Sequence, residues 1–172
     1  IRIIMKYVHE RVYQKLQYER NVVDKVFSIC YYAINASEKY EVVVNECIKQ
    51  LLKIVRHEFV PEIKILAVEK IHIICSSAFE KENDAMIIEC LREFSHIVKY
   101  SDSLSKEVQE IVENKIYTIC RDAFERGNNK IAIRCLHELS FERKKQGIVK
   151  KICTICDDAF ERGNDEVAVE CL

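Results

Sequence analysis

The 172-residue chain predicts an all-α fold, an α-solenoid superhelix of antiparallel helix pairs in roughly four repeats. Three observations carry that expectation. The first is internal repetition: Lys115–Leu136, KIYTICRDAFERGNNKIAIRCL, returns as Lys151–Leu172 with 15 of 22 positions identical, and as Lys70–Leu91 with 11 of 22. A fourth copy, Lys25–Ile48, carries a two-residue insertion near its middle. Units repeated at a fixed period bury their apolar faces on one another. The second is periodicity inside the unit. Ile116, Ile119, Cys120, Ala123 and Phe124 share one helical stripe, and Ala132, Cys135, Leu136 and Leu139 share another. The third is the shortage of breakers, with three glycines and one proline in the whole chain.

Within the unit, Gly127 supplies the positive φ that ends a first helix, and Asn128 or Asn129 can cap a second. A connection this short makes the two helices antiparallel neighbours. In the last copy Gly163 is the stop and Asp165 is the expected cap, with Glu166 against the positive helix end. In the Lys70 copy Glu82 stands at the glycine position, and Asn83 is expected to take the left-handed conformation instead.

In chain order, Ile4, Tyr7, Val8, Val12 and Leu16 fall at helical spacing and read as the closing helix of a preceding hairpin. Two readings fit the next stretch, a break near Tyr18–Asn21 and one unbroken helix from Ile3 to Ala36. Val22, Val26, Phe27, Cys30, Ala33 and Ile34 form the next stripe. The loop 35–39 has Ser37 as its cap, and Val43, Cys47, Leu51 and Ile54 mark the partner helix. Pro61 suits a first helical turn, ahead of Ile65, Val68, Ile71, Ile74, Cys75, Ala78 and Phe79. Ile87, Cys90, Leu91, Phe94 and Val98 stripe a helix ending near Tyr100. Ser101–Ser105 is a turn-and-cap cluster before a helix over Lys106–Arg126, and Phe141–Gly147 ends its partner with basic residues suited to the negative helix end. The units expected are 1–16 (partial), 17–58, 59–100, 103–144 and 147–172 (truncated), within one repeat domain over 1–172 read as a fragment of a longer chain.

Equivalent cysteines lie 45 residues apart twice (Cys30, Cys75, Cys120) and then 36 (Cys156). A two-helix unit of that period resembles HEAT or armadillo repeats. Locally, Ala123–Leu136, AFERGNNKIAIRCL, looks like the hinge of a tetratricopeptide repeat, although the 45-residue steps and the absence of Trp depart from that family. The resemblance covers nearly the whole chain and implies a protein-binding scaffold without catalysis.

A HEAT-like arrangement puts the second helices on the concave side. The exposed partner-binding residues would then be Glu89, Arg92, Glu93 and His96, with Arg134, His137 and Glu138 as counterparts. A tetratricopeptide-like arrangement moves the site to the first helices. The expected partner is a peptide or helix of another protein.

Nine cysteines are the one feature with a chemical alternative. Eight recur as Cys30/Cys47, Cys75/Cys90, Cys120/Cys135 and Cys156/Cys171, one on each helix of each copy, and read as small buried hydrophobes. Disulfides across each hairpin are conceivable if the Cα atoms approach within about 7 Å. Cys153 falls outside the series and creates Cys153-x-x-Cys156, which with Cys171 could supply three ligands of a zinc or redox site. Reduced thiols imply a cytoplasmic, reducing compartment.

The remaining signals exclude more than they suggest. A net charge of −1 gives no general pull toward nucleic acid, although Arg143, Lys144, Lys145, Lys150 and Lys151 concentrate positive charge in the corner 143–151. The tyrosines Tyr7, Tyr13, Tyr18, Tyr31, Tyr32 and Tyr40 cluster toward the start and suit an interface or a core stripe. His9, His57, His72, His96 and His137 form no metal-pair spacing, there is no phosphate loop, and no cofactor is called for. No apolar run approaches the roughly 20 residues of a membrane span.

Overall fold

The computed structural model describes residues 2–36, 41–56, 60–99, 105–140 and 146–170. Among the described residues there are eight helices and no strand. They are α1 (Arg2–Ala36), α2 (Glu41–Arg56), α3 (Pro61–Glu80), α4 (Asp84–Lys99), α5 (Lys106–Glu125), α6 (Asn129–Ser140), α7 (Gln146–Glu161) and α8 (Asp165–Glu170). The apolar stripes dictate this outcome, because an amphipathic helix gains most of its stability from the face it buries.

Three bends share one hydrogen-bond pattern. Asn128 N–H donates to Ala123 O (2.8 Å) and Gly127 N–H to Phe124 O (3.0 Å). Asn164 donates to Ala159 O (2.8 Å) and Gly163 to Phe160 O (3.1 Å), and Asn83 donates to Ala78 O (2.9 Å) and Glu82 to Phe79 O (3.1 Å). This is the Schellman closure, whose penultimate residue must adopt positive φ. Gly127 (φ 72°) and Gly163 (φ 65°) do so, and so does Glu82 (φ 54°).

The expectation that Asn83 would take the left-handed conformation is therefore corrected. Asn83 is needed one step later, where its Oδ1 accepts the Met86 N–H at 3.0 Å and caps α4. The same division of labour moves the last cap from Asp165 to Asn164, whose Oδ1 accepts from Val167 N at 3.3 Å. Asn128, not Asn129, caps α6 through Ile131 N at 3.2 Å.

The unbroken reading of the first segment holds, since α1 runs through Tyr18–Asn21 without interruption. In two stripes the inward residue is shifted by one from expectation. Val23 and Val44 are buried, while Val22 is half-buried and Val43 exposed. Ser105 caps α5 as its spacing suggests, accepting from Val108 N at 3.4 Å. The expected cap Ser37, the turn residues 101–104, Tyr100 and the segment 141–145 lie outside the described residues.

The chain divides into two compact units, Ile1–Ile74 and Cys75–Leu172, with the boundary inside α3. In the first unit α1 packs on α2, and Lys70 at the start of the repeat in α3 reaches α1, its Nζ 3.1 Å from Asp24 and 4.4 Å from the centre of the Phe27 ring. In the second unit α5 packs on α6 and α7 on α8, and successive pairs pack through α4 on α5 and α6 and through α6 on α7 and α8. The core residues Phe94, Ile87, Leu91, Ile116, Ile119 and Ile131 of that unit are sealed from solvent.

Candidate interaction surface

Contacts between successive hairpins recur at fixed repeat positions. At the bends, the Arg126 guanidinium lies 5.6 Å from the Phe79 ring centre and Arg162 5.2 Å from that of Phe124. Both arginines are exposed, and an exposed cation over an aromatic face contributes about 0.5–1 kcal/mol. Beside these stacks the caps are linked laterally. Asn128 Nδ2 donates to Asp84 Oδ1 (2.8 Å), Asn164 Nδ2 to Asn129 Oδ1 (2.8 Å) and Asn129 Nδ2 to Glu166 Oε2 (2.9 Å). At the start of the repeat, Lys151 donates to Asn114 Oδ1 and lies over the Tyr117 ring at 5.7 Å, as Lys70 does with Asp24 and Phe27 in the first unit. The repeat identity of Arg126 and Arg162 was visible in the sequence; that each reaches the preceding hairpin was not.

The partner-binding residues expected from sequence divide by burial. Arg92, His96, Arg134 and His137 are exposed and Glu89 is half-buried. Glu93 and Glu138 are only 8% and 7% exposed, which corrects their assignment to the open surface. The reason is a contact across 43 residues: Ser95 Oγ of α4 donates to Glu138 Oε2 of α6, and Arg134 Nη2 closes on Glu138 Oε1 at 2.7 Å. Glu93 lies 3.7 Å from Arg92, which also holds Glu89 at 2.5 Å. A buried carboxylate needs such partners, because desolvation alone would disfavour its charge.

Arg134 and His137 join Ile88, Lys130 and Ile133 around a shallow depression of about 270 Å³ on the second helices. Ile88 and Ile133 occupy one repeat position, and Val169, the residue at that position in the last copy, is exposed. A larger cleft of about 710 Å³ opens at the bends, between Phe79, Glu82, Asp84, Arg126 and Lys130. Its acids and bases already face one another, with Lys130 Nζ 3.9 Å from Asp84.

Among the described residues the thiols are placed as packing groups in all but two positions. Cys30, Cys47, Cys75, Cys90, Cys120 and Cys135 are buried, Cys156 is half-buried and Cys153 is exposed. Cys171 lies outside the described residues. Cys120 Sγ points at Ala132 O (3.4 Å) and Cys30 Sγ at Val44 O (3.9 Å), weak bonds of a small residue at a helix seam. A hydrogen bond with Cys75 and burial push the Cys90 thiol well above the ordinary range. Burial and contact with Cys120 push Cys135 up in the same way, and burial raises Cys47. A raised thiol is a poor nucleophile. Among the described residues no three His, Cys, Asp or Glu side chains come together as a metal site. In the basic corner Lys150 is exposed and Lys151 is engaged with Asn114 and Tyr117, while 143–145 lie outside the described residues. No described helix is long and apolar enough to cross a membrane.

No protein-family model matches the chain. No curated protein matches it either. Among solved structures it is similar to one named "DHF46 filament", at 18% identity and a TM-score of 0.69, covering 90% of this chain and 92% of that one. It is likewise similar to "DHF91 filament", at 20% identity and a TM-score of 0.71, covering 89% and 93% respectively. At such identities the likeness is one of helical fold.

Proposed function

We propose that the chain is an α-solenoid of HEAT-like helix pairs that acts as a non-catalytic protein–protein interaction scaffold, taking a peptide or helix of its partner on the face of α4 and α6. The observation that carries this reading is the depression floored by Ile88 and Ile133 and flanked by Lys130, Arg134 and His137. Apolar side chains left half-covered at equal repeat positions, with cations beside them, form anchor pockets for a ligand whose apolar residues recur along one face. The buried Ser95–Glu138–Arg134 contact fixes the two helices that carry the pockets, which limits the entropy lost on binding. Buried thiols used as packing groups accord with a reducing, cytoplasmic setting.

Peptides selected from a random library against the chain provide the test. Binding should fall at least tenfold with Lys130→Glu or Ile133→Asp and persist with Arg121→Glu, a charge reversal on a first helix. Selected peptides that lose affinity with Arg121→Glu, or with none of the three, would move the site off α4 and α6.

A further inference from the structure

The depression on α4 and α6 has a charge and a spacing that narrow its ligand. Of the five side chains lining it, Ile88, Lys130, Ile133, Arg134 and His137, none is a carboxylate. The acids of this face are set deeper. The side chains of Lys130, Arg92 and Arg134 are 71%, 50% and 46% exposed, and those of Asp84, Glu89, Glu93 and Glu138 are 36%, 17%, 11% and 5% exposed. The acids are also engaged. Ser95 and Arg134 hold Glu138, Arg92 holds Glu89 and lies 3.7 Å from Glu93, and Asn128 donates to Asp84. Lys130 Nζ is 3.9 Å from Asp84, longer than a hydrogen bond, so its donors still face water. The guanidinium of Arg134 has five N–H donors, more than Glu138 can use. An arriving group meets basic tips first, with the balancing carboxylates beneath them.

Ile88 and Ile133 stand at one repeat position on helices that pack side by side. These helices run parallel and in register, because Asn128 joins Asp84 at their first turns and Ser95 joins Glu138 further along. Packed helices lie about 8–10 Å apart, which sets the separation of the two isoleucines. On a peptide helix, residues i and i+7 share a face and lie about 10.5 Å apart along the axis. On an extended strand, residues sharing a face are about 6.7 or 13 Å apart, one too short and the other too long. Cations flank the anchors on both sides of such a crossing. Lys130 lies one turn before Ile133 and His137 one turn after it, and Arg92 holds the position of His137 on α4.

Resting on the reading of this face as a peptide-binding surface, we propose that its ligand is an acidic amphipathic helix of a partner protein. That helix lies across α4 and α6, sets apolar residues i and i+7 over Ile88 and Ile133, and directs flanking carboxylates to Lys130, Arg134 and Arg92. A basic helix would meet the same cations first and find the acids beneath them occupied. The net charge of −1 over the whole chain gives no such preference, so the selectivity is local to this face.

Two synthetic helical peptides test the proposal, each with leucine at i and i+7 on an alanine–glutamine background, one flanked by glutamates and the other by lysines. Fluorescence anisotropy measures their binding to the chain. At roughly 50 mM salt the glutamate peptide should bind at least about tenfold tighter, the combined magnitude of two or three exposed charge pairs. At roughly 500 mM salt the ratio should fall to about twofold, because exposed charges are screened. Lys130→Glu should cut the low-salt ratio at least about threefold, and circular dichroism should show its helices unchanged, since Lys130 is well exposed. Ile133→Asp should weaken both peptides alike. Equal or reversed preference in binding that Ile133→Asp abolishes overturns the acidic ligand and leaves the surface standing. If the glutamate peptide does not bind, the proposal is overturned alone when library-selected peptides still lose affinity with Ile133→Asp, and together with the surface when they do not.

Discussion

Glu82 is the residue at which local chemistry and repeat geometry disagree most openly. The Schellman bend requires positive φ there, and glycine meets that need in the two later copies. For an L-residue with a Cβ, the left-handed region costs about 1–2 kcal/mol. The bend is retained because the hydrogen bonds at Asn83 and the cap at Met86 over-determine it. Glu82→Gly should therefore stabilise the chain by about 0.5–1 kcal/mol, the strain relieved less the extra freedom of glycine when unfolded. Denaturant unfolding measures this, and a loss of stability would mean that Glu82 makes a compensating contact. The sequence placed the bend correctly yet misassigned its strained residue. Asn tolerates the left-handed region better in isolation, but only Asn83 can cap α4, and one residue cannot do both.

At the scale of the element, the period of the apolar residues marked the helical stretches, because a stripe at 3.6-residue spacing has one stable use, but it left open whether α1 was one helix or two. Periodicity within one helix says nothing about which polar residue meets a neighbour. Glu93 and Glu138 lie beside their stripes and read as solvent-facing, but Ser95 and Glu138 meet across α4 and α6 over a separation no local pattern encodes. The inter-hairpin stacks were hidden for the same reason, although Arg126 and Arg162 repeat in plain sight. They also make the same residue type worth different amounts in different copies. Phe124→Ala should cost about 3 kcal/mol, since its ring is buried beneath Arg162. Phe160→Ala in dilute solution should stay within about 0.5 kcal/mol. Thermal melts of the two variants make the comparison, and equal losses would show that the two hairpins are covered alike.

Across the whole molecule, one contact set is used repeatedly: lysine onto the preceding first helix, arginine onto the preceding phenylalanine, asparagine onto the neighbouring cap. On the solenoid reading proposed above, stability is a sum of hairpin terms and nearest-neighbour terms, and buried groups are shielded by the adjoining hairpin as much as by their own. The thiols report on that shielding at named positions, and cysteine labelling followed by peptide mass analysis of the native chain tests it most directly. Cys153, which is exposed, should react fastest, and the half-buried Cys156 more slowly. Cys75, Cys90, Cys120 and Cys135 should react at least about a thousandfold more slowly, only as the unit unfolds. Labelling of Cys120 or Cys135 as fast as Cys153 would contradict the packing of hairpin on hairpin.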